Sequence, residues 1–306
     1  MTIVQNLSKR NFIAASLGAL LIAPNLSGCA NRNIRDFAAL FAEIEKTHGG
    51  RLGVCVLNTK TSETINYRGD SLFALCSTFK LPLAAIILRE IENGRLDAEK
   101  EIPIVQNGLR IISPMVREKL AGGKMRIIDL AHEIQTTSDN IAANALLELI
   151  GGPQKFTQIM REMGDNVTNI ERIEPKMNLV LPGETRDTTS PNAIAHTVQK
   201  ILFGGFLKPV SIQTLADWMI ETKTGSKRIR AGLPKDWQAG DKTGTGIDAE
   251  MPNRYNDIAV VWPPNKAPYI IAAFYEGPGY FDDMRDIDLE VLAKVGRVAT
   301  EVIMSS

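Results

Sequence analysis

A serine hydroxyl and a lysine amine stand three residues apart in Ser77-Thr78-Phe79-Lys80, a spacing that puts both on one face of a helix. Serine is a poor nucleophile without a base beside it, and a lysine partly desolvated in a pocket can lower its pKa enough to serve. Ser138-Asp139-Asn140 adds a second hydroxyl and a carboxamide at the head of a helical pattern. Lys242-Thr243-Gly244 adds a second ammonium and hydroxyl at the end of a strand pattern. Each has a plain structural reading: a helix start capped by its serine, an N-cap, and a strand running into a glycine turn. Taken singly, each is well explained by structure; the chemistry open to them is nucleophilic attack by a serine with a lysine as its base.

The remaining composition narrows the classes. The three histidines, His48, His132 and His196, each lie on a helical pattern, and none is near another histidine or a cysteine cluster. That spacing offers no metal site and no Ser-His-Asp arrangement, so no cofactor is expected. Lys+Arg and Asp+Glu both number 35, a formal net charge of zero, so no global field draws nucleic acid or an anionic membrane surface. A chain of 306 residues buries enough surface to fold without disulfides. Cys55 lies in an apolar run and Cys76 directly precedes Ser77; both read as buried thiols.

The elements that must position these groups follow from periodicity. Apolar residues recur at helical spacing over Ile34 to Thr47, Leu81 to Glu92, Ile127 to Ile134, Asn140 to Ile150, Gln154 to Met163, Pro191 to Leu202 and Ile287 to Ile303. Strand patterns cover Leu52 to Leu57, Glu63 to Tyr67, Trp237 to Thr243, Asp257 to Trp262 and Tyr269 to Tyr275. Strands occur at both ends of the chain and helices in the middle, so one sheet must draw its strands from both ends. The expected fold is therefore α/β (α+β) with two lobes. An antiparallel five-stranded sheet flanked by the first and last helices is built from 33–75 and 222–306, and an all-α lobe from 76–221. The cleft between them is the natural place for a site.

The motif set resembles the S-x-x-K, S-D-N and K-T-G signature shared by class A serine β-lactamases and penicillin-binding proteins. The resemblance extends over Thr137 to Asn144 and Asp241 to Gly246 and spans nearly the whole chain beyond residue 29. Arg172-Ile173-Glu174-Pro175-Lys176-Met177-Asn178 resembles the Glu-Pro-x-Leu-Asn segment of the class A omega loop, here 172–187, with Met177 for leucine, a volume-conserving exchange. That glutamate separates a β-lactamase from a penicillin-binding protein or D-Ala-D-Ala peptidase, the alternative reading, in which the acylated serine is released very slowly. The resemblance implies Ser77 as nucleophile, Lys80 as its base or Glu174 acting through water, and Ser138 as proton relay to the leaving nitrogen. It implies backbone N–H groups of Ser77 and Thr245 as oxyanion hole, and Asn140 as ligand of the drug's acylamino side chain. Glu174 and Asn178 would hold the deacylating water, and Lys242, Thr243 and Gly244 would form the strand that meets the substrate carboxylate. Arg172 and Asp187 stand where the family pairs the two ends of the loop, the alternative being a solvated ion pair. Arg228 stands where some members place a carboxylate-binding guanidinium, the alternative being an exposed loop arginine.

Departures from the pattern bear on spectrum. Ile112 replaces a common aromatic at the cleft mouth. Gly246 stands where the class's carbapenemases have a cysteine that pairs with the counterpart of Cys76. Thr245 is shared with those carbapenemases. At the other end, Lys9 and Arg10 precede the uncharged run Phe12 to Ala23, shorter than the ~20 residues a bilayer span needs, which reads as an export signal over 1–28. Leu26-Ser27-Gly28-Cys29 resembles a bacterial lipobox, implying acylation at Cys29, with a signal peptidase site near Ala30 as the alternative; Ser8 to Phe12 resembles a twin-arginine signal with Lys9 in place of the first arginine. The expected protein is an exported, periplasmic or outer-face monomer, held to the membrane only through that lipid, with β-lactam small molecules as its partners.

Overall fold

A computed structural model describes residues 36–106, 108 and 113–306, which form one compact unit from Asp36 onward. Cys29 and Ile112 lie outside the described residues, as does the signal-like segment.

The chain runs α1 (Phe37–His48), β1 (Arg51–Asn58), β2 (Thr64–Tyr67) and β3 (Phe73–Ala74), then a 3-10 turn, Cys76–Phe79, leading directly into α2 (Lys80–Glu92). Next come β4 (Glu101–Pro103), α3 (Pro114–Leu120), β5 (Lys124–Arg126), α4 (Ile127–Thr136), α5 (Asn140–Ile150), α6 (Gly152–Glu162), β6 (Thr188–Thr189), α7 (Pro191–Phe203) and α8 (Pro209–Glu221). The last part is β7 (Gln238–Gly246), β8 (Arg254–Trp262), β9 (Tyr269–Glu276) and α9 (Asp286–Ser305). The expected strands and helices are all present. Sequence periodicity did not single out α3 or α8, nor the short ladders β3-β6 and β4-β5, whose strands of two or three residues carry no readable period.

The main sheet is five-stranded and antiparallel, in the order β2-β1-β9-β8-β7, so the N-terminal hairpin pairs through β9 with the C-terminal meander. Both faces are covered. On β9, Tyr269, Ile271, Ala273 and Tyr275 join Phe37, Phe41, Leu292 and Val295 of α1 and α9 in one core. Ile270, Ala272 and Phe274 face the other way, into a core shared with Ile194 and Val198 of α7 and with the buried helix α2. That is the period-two alternation of a strand, and with both faces apolar it reads as a continuous hydrophobic run.

Local signals set the helix ends near the cleft. Asp139 caps α5, its Oδ1 accepting from the N–H groups of Ile141 (2.9 Å) and Ala142 (3.0 Å). In the Ser-Asp-Asn triplet the aspartate takes the capping role, which leaves Ser138 and Asn140 to other partners. Gly151 closes α5 in the left-handed region, at φ 101°.

Candidate active site

Ser77 sits on the 3-10 turn between β3 and α2, half-buried, with Cys76 before it at φ 45°. A non-glycine residue in that region costs of order 1–3 kcal/mol and persists only where packing holds it. Ser138 shares the feature, at φ 65°. Strand β7 passes hard against the Ser77 turn: a Cβ on Gly244 would lie 2.9 Å from the Leu75 carbonyl oxygen and 3.1 Å from Thr78 Cγ2. Glycine at 244 is what lets the strand edge approach the turn.

The turn into α2 brings Lys80 under Ser77. Lys80 is fully buried, and its Nζ lies 3.0 Å from Ser77 Oγ, 2.8 Å from the Ser138 carbonyl oxygen, 2.5 Å from Asn140 Oδ1 and 3.1 Å from Glu174 Oε1. Four oxygens exceed the three protons of an ammonium, so they are not all satisfied at once. Burial lowers the Lys80 pKa below its usual value, with the Glu174 carboxylate opposing. Ser77 Oγ in turn donates to Glu174 Oε1 at 3.1 Å, closing a triangle of nucleophile, amine and carboxylate.

Glu174 is itself held on every side. Asn178 Nδ2 donates to its Oε2 at 2.6 Å. Asn144 on α5 reads its peptide group twice, Oδ1 accepting from the Glu174 N–H and Nδ2 donating to the Glu174 carbonyl, both at 3.0 Å. Asn144 had no role in the sequence reading, although its place four residues after Asn140, on the same helix face, was a signal for one. The Glu174-Pro175 peptide is cis, and Met177 is fully buried beneath the loop.

The loop ends are pinned by Asp187, whose Oδ1 accepts from the N–H groups of Glu171 (2.8 Å) and Arg172 (3.0 Å) while Oδ2 takes the Arg172 guanidinium. Asp187 is fully buried, which overturns the alternative of a solvated pair. The Asp187 carbonyl accepts from the Leu75 N–H at 2.9 Å, two residues before Ser77, so the loop and the nucleophile share one anchor.

Across the cleft, Lys242 on β7 is fully buried and its Nζ donates to Ser138 Oγ at 2.9 Å and to the Thr243 carbonyl at 2.8 Å. Its pKa lies well below the usual lysine value, first through burial and then through the neighbouring charge of Lys80. The two lysines thus meet at Ser138, one at its carbonyl and one at its hydroxyl. Thr243 Oγ1 pairs with Thr224 Oγ1 at 2.5 Å. Arg228 is 3% exposed, not the exposed loop arginine of the alternative reading. Its Nη1 donates to the carbonyls of Gly244 (2.8 Å) and Asn256 (2.6 Å), and its Nη2 to Thr245 Oγ1 (2.6 Å). Next to Lys242, the buried Asp241 accepts from Arg230 Nε at 2.8 Å; burial raises its pKa to about 6, with Arg230 opposing.

Ser77, Ser138, Asn140, Asn178, Arg228, Thr243 and Thr245 line one cleft of about 1290 Å³, and Lys80, Glu174 and Lys242 are buried beside it. The three histidines are elsewhere: His132 pairs with Glu221 at 3.2 Å, His48 lies 2.7 Å from Lys294 Nζ, and His196 is exposed on α7. Cys55 and Cys76 are free buried thiols, as expected, each pushed up to about 12 chiefly by burial. Among the described residues, no group of three or more His, Cys, Asp or Glu side chains is arranged to hold a metal ion, and no helix is long and apolar enough to cross a membrane.

A family model described as the β-lactamase enzyme family matches residues 35–303. A β-lactamase of Mycobacterium tuberculosis is 43% identical over 257 residues, covering 82% of this chain and 81% of the relative. The β-lactamase CTX-M-97 of Escherichia coli is 37% identical over 283 residues, covering 92% and 94%. Among solved structures, an ancestral class A β-lactamase aligns with a TM-score of 0.80 at 45% identity, over 87% of this chain and 99% of that one. A family match over nearly the whole folded unit, curated relatives of that name and a class A neighbour in structure agree with the serine, lysine and glutamate geometry: the chain belongs to the β-lactamase enzyme family and is a class A β-lactamase, a hydrolase of the cyclic amide of β-lactams.

Proposed function

We propose that this enzyme opens the β-lactam ring by attack of Ser77 Oγ on the lactam carbonyl and frees itself by attack of a Glu174-activated water on the resulting ester. The proton leaving Ser77 passes to the Lys80 amine, whose pKa burial lowers, or through Glu174; Ser138 then delivers a proton to the ring nitrogen as the C–N bond breaks. Backbone N–H groups of Ser77 and Thr245 stabilise the oxyanion, each donor of this kind being worth about 2.7–4 kcal/mol. Asn140, whose Oδ1 is taken by Lys80, turns its NH₂ to the substrate's acylamino carbonyl. Lys242, Thr243 and Arg228 along the Gly244 edge attract the substrate carboxylate. The observation that carries the reading is that one Glu174 oxygen lies 3.1 Å from both Ser77 Oγ and Lys80 Nζ while Asn178 holds the other at 2.6 Å. A carboxylate held this way beside the nucleophile supports hydrolysis of the ester, in contrast to a penicillin-binding protein, whose acyl group is released very slowly.

The test is Glu174→Ala with benzylpenicillin. Deacylation should slow by at least ~10²-fold and mass spectrometry should find the adduct on Ser77. Turnover at the wild-type rate, or no adduct, refutes the mechanism. We further propose that residues 1–28 direct export and that Cys29 carries the lipid that holds a monomer at the membrane; the support is the Leu26-Ser27-Gly28-Cys29 lipobox. Radiolabelled palmitate should enter the expressed protein and be lost in Cys29→Ala, and an unlabelled protein starting after Ala30 refutes it.

A further inference from the structure

We propose that Arg254, at the start of β8, is a positioning residue for deacylation, acting through the Asn178 backbone on Glu174; this deepens, and rests on, the assignment of Glu174 above. Arg254 is 5% exposed and belongs to none of the motifs that mark the family. Its Nη1 donates to the Asn178 carbonyl at 3.1 Å and its Nη2 to the Val180 carbonyl. The guanidinium fork therefore grips two carbonyls on either side of Leu179, a geometry that a planar multi-donor group can make and a point charge cannot. At its other end the guanidinium faces a carboxylate of the sheet. Arg254 and Arg51 both lie opposite Glu276 in the sheet, one on each flanking strand. Glu276 Oε1 lies 3.5 Å from Arg254 Nε, and Glu276 Oε2 accepts from Arg51 Nε at 2.6 Å.

A line of contacts thus runs from the sheet to the hydrolytic carboxylate: Arg51, Glu276, Arg254, the Asn178 carbonyl, the Asn178 amide and Glu174 Oε2. The Arg172–Asp187 pair pins the ends of the loop, whereas Arg254 pins its middle, beside the side chain that holds Glu174 Oε2. With Lys80 taking the Ser77 proton, acylation does not need that orientation, because Ser77 and Lys80 are placed by the turn into α2 and stand 3.0 Å apart. The loss of Arg254 should therefore fall on the second half-reaction.

The experiment uses the folded enzyme with Arg254→Met, which removes the donors and keeps the volume, and Arg254→Lys, which keeps the charge beside Glu276 and cannot span both carbonyls. Burst and single-turnover kinetics with benzylpenicillin separate the two steps. Deacylation should fall by about 10- to 100-fold, the scale of a displacement of about 1 Å in a catalytic group, while acylation changes by less than about twofold. The double variant Arg254→Met/Asn178→Ala should deacylate within about twofold of Asn178→Ala alone, because both changes remove the same constraint. Equal losses in both steps, unchanged deacylation in both single variants, or a multiplicative double variant each overturn the proposal. Glu174→Ala run alongside separates the failures: if it traps the adduct and the Arg254 variants do not slow, only the role of Arg254 falls; if it fails to trap, the mechanism falls and this proposal with it.

Discussion

Replacing Asn144 with alanine removes both hydrogen bonds that fix the Glu174 peptide, one at its N–H and one at its carbonyl, each 3.0 Å long. A hydrogen bond of this kind contributes about 0.5–1.5 kcal/mol net, so the pair is worth about 1–3 kcal/mol, and more if the peptide groups stay dry and unpartnered. Taking about 2 kcal/mol, with 1.4 kcal/mol per tenfold, the fraction of molecules with Glu174 in place falls by up to about 30-fold. The substitution leaves α5 intact, since alanine is the best helix former. The assay is pre-steady-state hydrolysis of benzylpenicillin: the deacylation rate should drop by roughly 10- to 30-fold, and acyl-enzyme should accumulate at steady state. The thermal midpoint should fall by a few degrees, about 2–4 °C per kcal/mol for a domain of this size, if the loop unfolds with the rest. Wild-type deacylation in a variant that has lost its midpoint would mean that Asn144 stabilises the loop without positioning Glu174. Wild-type values of both would refute the clamp.

Three further outcomes follow from the geometry. A Cβ on Gly246 would lie 3.1 Å from Cys76 Sγ, so Gly246→Cys should form a 76–246 disulfide on oxidation, within the reach such a bond needs, read as loss of two free thiols; both thiols remaining reactive in denaturant would refute it. Asp241, raised from 3.8 to about 6 by burial, is protonated in the folded state where the unfolded chain is already ionised. The native state thus binds more protons over that window, and by linkage wild-type stability relative to Asp241→Asn should fall as pH rises from about 4 to about 6; a flat difference in unfolding midpoints would refute it. Arg228→Ala strips the donors from the Gly244 and Asn256 carbonyls as well as removing a charge, so catalytic efficiency on penicillins should drop at least ~10-fold and the unfolding midpoint should fall; unchanged efficiency would remove Arg228 from substrate binding.

The types of the reacting groups were legible in the chain because chemistry constrains residue identity at short spacing. Ser77 and Lys80 are one turn apart, and Glu174 and Asn178 share one loop, so each pair meets by local geometry alone. The five strands and most helices were legible too, since a face that must be buried repeats at 2 or 3.6 residues. What local pattern does not carry is the meeting of distant elements. Arg228 looked as much like a surface loop residue as a ligand, and only the packing of β7 and β8 decided that it is buried, because its partners Gly244 and Asn256 lie 16 and 28 residues away. Asp187 likewise became a buried anchor through Arg172 and Leu75, and Asn144 became the clamp of Glu174, only once α5 lay against the loop. Arg254 carried no signal at all, since a guanidinium that grips backbone carbonyls leaves no mark on the residue types of its partners. Sequence determined which groups could react, and the sheet that joins the two ends of the chain decided which of them stand about 3 Å apart, the distance at which a hydrogen bond or a proton transfer operates.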